Sequence, residues 1–212
     1  MNQPDPIRDC TGLILAGGRG ARLGGADKGL VELLGRPLVT YAIEALRPQV
    51  SGLLISANRN RERYAEFGLP VIADTLADFQ GPLAGMLSGL TQCKTEWLAC
   101  VPCDMPAIPG NLVSELLRAA AGERGLAAYA VLDGDPSYVC ALLHRSLRER
   151  LAISLQAGER AVGKWLAAHN ACAVAFHAPA QIPRNINTAA DLRSLDTQRF
   201  ALHSGRAESV NG

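Results

Sequence analysis

A surplus of charge of either sign is what this sequence most clearly lacks. Its 21 Lys and Arg face 20 Asp and Glu, for a formal net charge of +1, too little for the basic face with which proteins grip nucleic acid. The expected ligand is therefore small. Long apolar runs are missing too: none approaches the roughly 20 residues of a membrane span, and the polar start has no signal-like apolar stretch. No membrane association is expected, and the predicted location is cytoplasmic. There is no Gly-x-Ser-x-Gly elbow, which removes support for a covalent serine mechanism. His144, His169, His177 and His203 are scattered without partners at catalytic spacing. Cysteine is present six times, at Cys10, Cys93, Cys100, Cys103, Cys140 and Cys172, but not as a dense framework. Cys100-Val101-Pro102-Cys103 has redox spacing, yet Asp104, Met105 and Pro106 follow where such a motif opens a helix. No second pair completes a zinc site. Reduced, buried thiols are expected.

What is present is a chain of 212 residues, 48% hydrophobic, long enough for one sizeable core. Short apolar runs at 13–16, 52–56, 71–73 and 96–101 read as buried strands. Helices are predicted between them: one opened by Pro37, with Leu38, Tyr41, Ala42, Ala45 and Leu46 as its stripe, then a polar, Arg-rich stretch from Asn58, then 82–90. A further helix follows at 111–121. This β/α alternation predicts a three-layer α/β/α fold, a doubly wound, mostly parallel sheet of Rossmann-like type that collects ligands at the carboxyl ends of its strands. Beyond it, 127–132 and 138–143 flank Asp133-Gly134-Asp135-Pro136 as a hairpin, with helices around 146–155 and 160–169 and a strand at 171–176. Thr188 and Asp191 suggest the cap of a last short helix, and 197–212 reads as a mobile tail.

The chemistry concentrates after the first strand. Leu15-Ala16-Gly17-Gly18 opens a loop that runs through Arg22 to Asp27-Lys28 and carries five glycines. Glycines let backbone amides approach phosphates, and Arg22 and Lys28 bring complementary charge. The loop is an anion cradle of neither familiar kind. Gly29 follows Lys28 where a Walker A loop needs Ser or Thr, and Leu23 stands where a dinucleotide fingerprint needs its third glycine. Asp104, just past a buried strand, is placed either to hold a hard cation such as Mg²⁺ or to cap a turn. Asp74 faces the same choice between ligand contact and the N-terminal cap of a turn beginning at Thr75. Asn185 and Asn187 alternate along a short segment, which puts both on one face or makes them turn formers.

The glycine loop resembles the nucleotide signature of molybdenum cofactor guanylyltransferases. So do Ser56-Ala57-Asn58-Arg59, the segment 74–88 with Gly81-Pro82-Leu83-Ala84-Gly85-Met86, Pro102-Cys103-Asp104-Met105-Pro106, Gln156-Ala157-Gly158-Glu159-Arg160 and Asn185-Ile186-Asn187-Thr188. The resemblance implies a single nucleotidyltransferase domain over 1–196, with a nucleotide-binding half at 10–110 and an acceptor-side half at 111–196. It implies that Leu15, Ala16, Gly17 and Gly18 contact GTP, that Arg22 and Lys28 hold its phosphates, and that Asp74 contacts the nucleotide. Asp104 would bind Mg²⁺ and the nucleotide, with Gly81 near the site and Asn185 and Asn187 on the acceptor side. Where the family often has Asn, this chain has Ser56, with a shorter reach; Asn58 is the substitute for a base or ribose contact.

The activity so implied is transfer of GMP from GTP to the phosphate of molybdenum-bound molybdopterin, with transient contact to proteins that deliver the pterin or mature molybdoenzymes. A monomer is expected. Two alternatives stand beside it: a cytidylyl- or sugar-phosphate nucleotidyltransferase of the same fold, and a nucleotide-binding module without turnover. Gly17 favours the guanylyl type, since cytidylyl relatives usually carry Ala there. Arg22, Lys28 and Asp104 together favour turnover.

Overall fold

The computed structural model describes residues 9–17, 27–74, 81–177 and 191. Among the described residues, nine strands and six α-helices follow in chain order: β1 (Cys10–Leu15), β2 (Glu32–Leu33), β3 (Arg36–Pro37), α1 (Leu38–Leu46), β4 (Gly52–Ser56), α2 (Arg61–Ala65), β5 (Val71–Ile72), α3 (Pro82–Gln92), β6 (Trp97–Pro102), α4 (Leu112–Gly122), β7 (Ala127–Leu132), β8 (Asp135–His144), α5 (Arg148–Gln156), α6 (Val162–Ala168) and β9 (Cys172–Phe176).

Seven strands form one sheet in the order β5-β4-β1-β6-β8-β7-β9, and β2 and β3 form a separate ribbon. β8 alone in the large sheet runs against its neighbours; the other six share one direction. Chain order reverses beside β1, with β4 and β5 on one side and β6 on the other. That is the switch point at which open α/β sheets form a crevice.

Period-two alternation explains the layering. Along β1, Ile14 joins one apolar cluster with Val39 and Leu46 of α1 and Leu112 and Leu116 of α4. Leu13 joins the other, with Met86 and Leu90 of α3, Leu151 of α5 and Trp165 of α6. Both faces of the central strands are thereby covered, which is why they read as continuous apolar runs. The expected three-layer, doubly wound sheet is the observed one.

The predicted hairpin is also present, with β8 extended to Asp135. Asp133 (φ 46°) and Gly134 (φ 89°) form its two-residue turn, and positive φ at both positions is what a tight hairpin turn demands. Two local readings change. The Arg-rich stretch from Asn58 was expected to be helical, but the helix begins at Arg61 after Asn60, whose φ is 50°, a left-handed value that interrupts helical geometry. The β2–β3 ribbon was not anticipated, because Leu34 and Gly35 supply its turn at φ 55° and 73° and a non-glycine there gives no turn signal. In α1 the buried stripe is Leu38, Val39, Ala42, Ile43 and Leu46, one position away from the predicted Tyr41 and Ala45. The expected last helix and the tail lie outside the described residues, apart from Asp191.

Candidate active site

Four parallel strands end in one register. Leu15 of β1 pairs with Ser56 of β4 and with Pro102 of β6, and Ser56 pairs with Ile72 of β5. Backbone hydrogen bonds continue the pairing for one residue past the ends: Ala16 N to Ser56 O (2.8 Å), Ala57 N to Ile72 O (2.9 Å) and Cys103 N to Leu15 O (3.1 Å). The chain leaves the sheet immediately afterward. Gly17, Asn58, Asp74 and Asp104 therefore emerge side by side at one edge, although up to 87 positions separate them in sequence (104 − 17).

Two groups of contacts organise this edge. At the β4–β5 end, Asn58 and Asp74 pair reciprocally: Asn58 Nδ2 donates to Asp74 Oδ2 at 2.7 Å, and the Asp74 backbone N–H donates to Asn58 Oδ1 at 2.9 Å. Ser56 Oγ donates to Asp74 Oδ1 at the longer distance of 3.4 Å. Asn58 thus does what the shorter Ser56 does weakly. A Cβ on Gly17 would lie 3.4 Å from Asn58 Nδ2, so the first glycine of the loop borders this pair directly.

At the β1–β6 end, Lys28 Nζ donates to Asp104 Oδ2 at 2.8 Å, with the two side chains 23% and 14% exposed. The pair is half-sheltered, where an ion pair is stronger than at an open surface without the full penalty of burial. The carboxylate of Asp104 is directed to a cation rather than to capping its own turn.

α3 closes the site from one face. It starts at Gly81, whose φ of 81° suits glycine, and Pro82 occupies its first turn. Four residues on, a Cβ on Gly85 would lie 2.6 Å from Leu15 Cδ2, 2.8 Å from Ser56 Oγ and 3.5 Å from Asp74 Oδ1. Only a glycine lets the helix sit this close over the strand ends. Nothing local in the Gly81–Met86 motif singles out Gly85, because the need for it arises from Leu15 and Ser56 on distant strands.

The neighbouring thiols are held inert. Burial pushes Cys100 well above the usual thiol range, and burial followed by the Asp104 and Asp27 carboxylates raises Cys103. Cys140 is pushed up by burial to about 12. All six cysteines are free, and buried neutral thiols such as those of Cys100, Cys103 and Cys140 are poor nucleophiles and poor metal ligands. The structural reading of Cys100 and Cys103 stands. Leu15, Ala16, Gly17, Lys28, Ser56, Asn58, Asp74, Gly81 and Asp104 are thus gathered at one end of the sheet. Gly18, Arg22, Asn185 and Asn187 lie outside the described residues.

Solved structures share this architecture. Molybdopterin-guanine dinucleotide biosynthesis protein A from Archaeoglobus fulgidus superposes with a TM-score of 0.69 at 20% identity, over 90% of this chain and 99% of that one. 4-Diphosphocytidyl-2C-methyl-D-erythritol synthase from Anaerococcus prevotii gives 0.66 at 11% identity, over 91% and 96%. At these identities the likeness shows the fold, an open, Rossmann-like α/β sheet.

The particular family follows from sequence likeness. The MobA-like NTP transferase domain matches residues 12–172. The molybdenum cofactor guanylyltransferase of Yersinia pseudotuberculosis serotype O:1b (strain IP 31758) is 49% identical over 189 residues, which is 89% of this chain and 96% of that protein. That of Yersinia pestis (strain Pestoides F) is 48% identical over the same length. The chain belongs to the family of molybdenum cofactor guanylyltransferases.

Proposed function

We propose that this chain transfers GMP from GTP to the terminal phosphate of molybdenum-bound molybdopterin, forming the guanine dinucleotide form of the cofactor and releasing pyrophosphate. The observation that carries the reading is the meeting of Lys28 and Asp104 at the switch point of the sheet, in a chain nearly half identical to guanylyltransferases along most of its length. A phosphate oxygen of the pterin attacks the α-phosphorus of GTP, and the bond to the β-phosphate oxygen breaks. No protein nucleophile is required, so the residues position and neutralise.

Asp74, fixed by Asn58, contacts the nucleoside end, and Leu15, Ala16, Gly17 and Gly18 let it approach the β1 end closely. Lys28 and Arg22 receive the phosphates. The 2.8 Å contact of Lys28 with Asp104 means that the ammonium must leave this carboxylate, or share it, when the phosphates arrive. The donor chemistry fits Mg²⁺: the Asp104 carboxylate is the hard oxygen ligand this ion takes. That suits an ion sharing one carboxylate with substrate oxygens and water. When bound there, Mg²⁺ supplies positive charge to the phosphates. Gly81, Asn185 and Asn187 belong to the acceptor side.

The reading extends to a cytoplasmic monomer that receives its pterin from a delivery protein. Free thiols persist in such a reducing compartment, in keeping with the six free cysteines here. The test is pyrophosphate release from purified protein, Mg²⁺ and molybdopterin with GTP, CTP, ATP and UTP in turn. GTP is expected to exceed the others by at least tenfold. Equal or greater release with CTP would replace the guanylyl reading with a cytidylyl one, and binding without release would leave a non-catalytic module.

A further inference from the structure

Lys28 sits on a very short support. It opens a single 3-10 turn, Lys28–Leu30, whose N-cap Asp27 makes no side-chain capping bond to that turn. The Asp27 carboxylate is directed elsewhere: Tyr64 Oη donates to Oδ1 in a short hydrogen bond, and Asn60 Nδ2 donates to Oδ2 at 3.0 Å. Both donors belong to the α2 segment, more than thirty positions away. Tyr64 is fully buried, and burial, then the Cys103 thiol and the Asp27 contact, push its phenol far above its ordinary range. It remains a donor throughout any working pH.

The grip continues on the other side of Lys28. A Cβ on Gly29 would collide with Tyr64 Oη and lie 3.2 Å from Tyr64 Cε1, so the backbone at position 29 rests directly on the phenol. One buried ring therefore holds residue 27 by a hydrogen bond and residue 29 by contact. Between them lies the residue whose ammonium reaches Asp104 at 2.8 Å. A lysine side chain is otherwise rich in rotamers, and a fixed root limits the space its tip can search.

We propose that Tyr64 is a positioning residue for the transferase reaction, acting through Asp27 and Gly29 to fix the backbone that aims Lys28 at the phosphates. The proposal rests on the reading of Lys28 as the phosphate-binding cation. Asn60 is the lesser support, holding the second carboxylate oxygen. Displacement of a reacting or stabilising group by about 1 Å can cost a hundredfold in rate, so partial loosening of the root should reduce turnover by about tenfold.

The test is a double-mutant cycle of Tyr64→Phe and Lys28→Ala, with saturated turnover, KM for GTP and thermal midpoint measured on all four proteins. Tyr64→Phe keeps the ring and deletes the donor. It is expected to lower kcat about tenfold with KM for GTP changed less than about threefold, and to change kcat less than about twofold in the Lys28→Ala background. Wild-type kcat in Tyr64→Phe, or an undiminished tenfold loss without Lys28, would overturn the proposal. A Lys28→Ala protein with wild-type turnover would remove the reading beneath it, an outcome distinct from either. Should Tyr64→Phe fail to fold, Asn60→Gly takes its place. It tolerates the φ of 50° at this position, deletes the other donor, and is expected to lower kcat about threefold by the same route; unchanged kcat there would overturn the proposal.

Discussion

Replacing Asp104 by Asn removes one charge while keeping the shape of the side chain, so stability and turnover should part company. The pair with Lys28 has side chains 23% and 14% exposed, between the exposed pairs worth at most about 1 kcal/mol and the buried ones that cost roughly 3–5 kcal/mol to break. Lys28 can turn toward solvent once its partner is neutral, which puts the loss at about 1–2 kcal/mol. For a domain of this size each kcal/mol moves the thermal midpoint by roughly 2–4 °C. Turnover should fall much further. A charge acting on phosphates in the transition state is worth about 3 kcal/mol, on the order of a hundredfold in rate. The assay is pyrophosphate release at saturating GTP and Mg²⁺, beside a thermal melt. Turnover within about threefold of wild type in a folded Asp104→Asn protein would refute the placement of this carboxylate in the reaction.

Asn58→Ala removes both halves of the reciprocal contact with Asp74; KM for GTP should rise about tenfold and stability fall by about 2 kcal/mol, read from initial rates and a urea midpoint. Gly85→Ala places a methyl 2.6 Å from Leu15 Cδ2 and 2.8 Å from Ser56 Oγ; overpacking of this kind costs roughly 1–3 kcal/mol, and moving α3 off the strand ends should weaken GTP binding measured by calorimetry. Cys100→Ala combined with Cys103→Ala should keep specific activity within about twofold while losing roughly 1 kcal/mol or more per site through small cavities. Loss of activity in that folded double variant would return these thiols to the chemistry.

The architecture was legible because buried strands announce themselves. The runs at Gly52–Ser56 and Ala127–Leu132 were read to the residue, and Pro37 and Pro82 marked helix starts that the structure shares to within one position. The hairpin around Asp133-Gly134-Asp135-Pro136 was visible too, although its turn takes only the first two of those four residues and β8 already begins at Asp135. What the sequence hid were features that depend on contacts between distant positions. Nothing local in Tyr64 says that its hydroxyl reaches Asp27, and Gly85 looks like any helical glycine until Leu15 and Ser56 are placed beneath it. The meeting of Lys28 and Asp104 was readable only as two separate expectations. Their residue types suited one chemistry, but the distance between them is a property of the sheet. Leu34 escaped because a leucine at positive φ carries no turn signature.

The common register of the four strand ends makes the sheet a ruler. Neighbouring strands lie roughly 4.8 Å apart, and three such intervals separate β5 from β6 in the order β5-β4-β1-β6. The follow-on segments bearing Asp74 and Asp104 are thus spaced by roughly 14 Å of hydrogen-bonded backbone. Side-chain changes at the rim can alter the chemistry at either end of this span, but not its length. A family that varied its loops freely would still hold these two segments the same three gaps apart, and only the gain or loss of a strand between β5 and β6 would reset the scale.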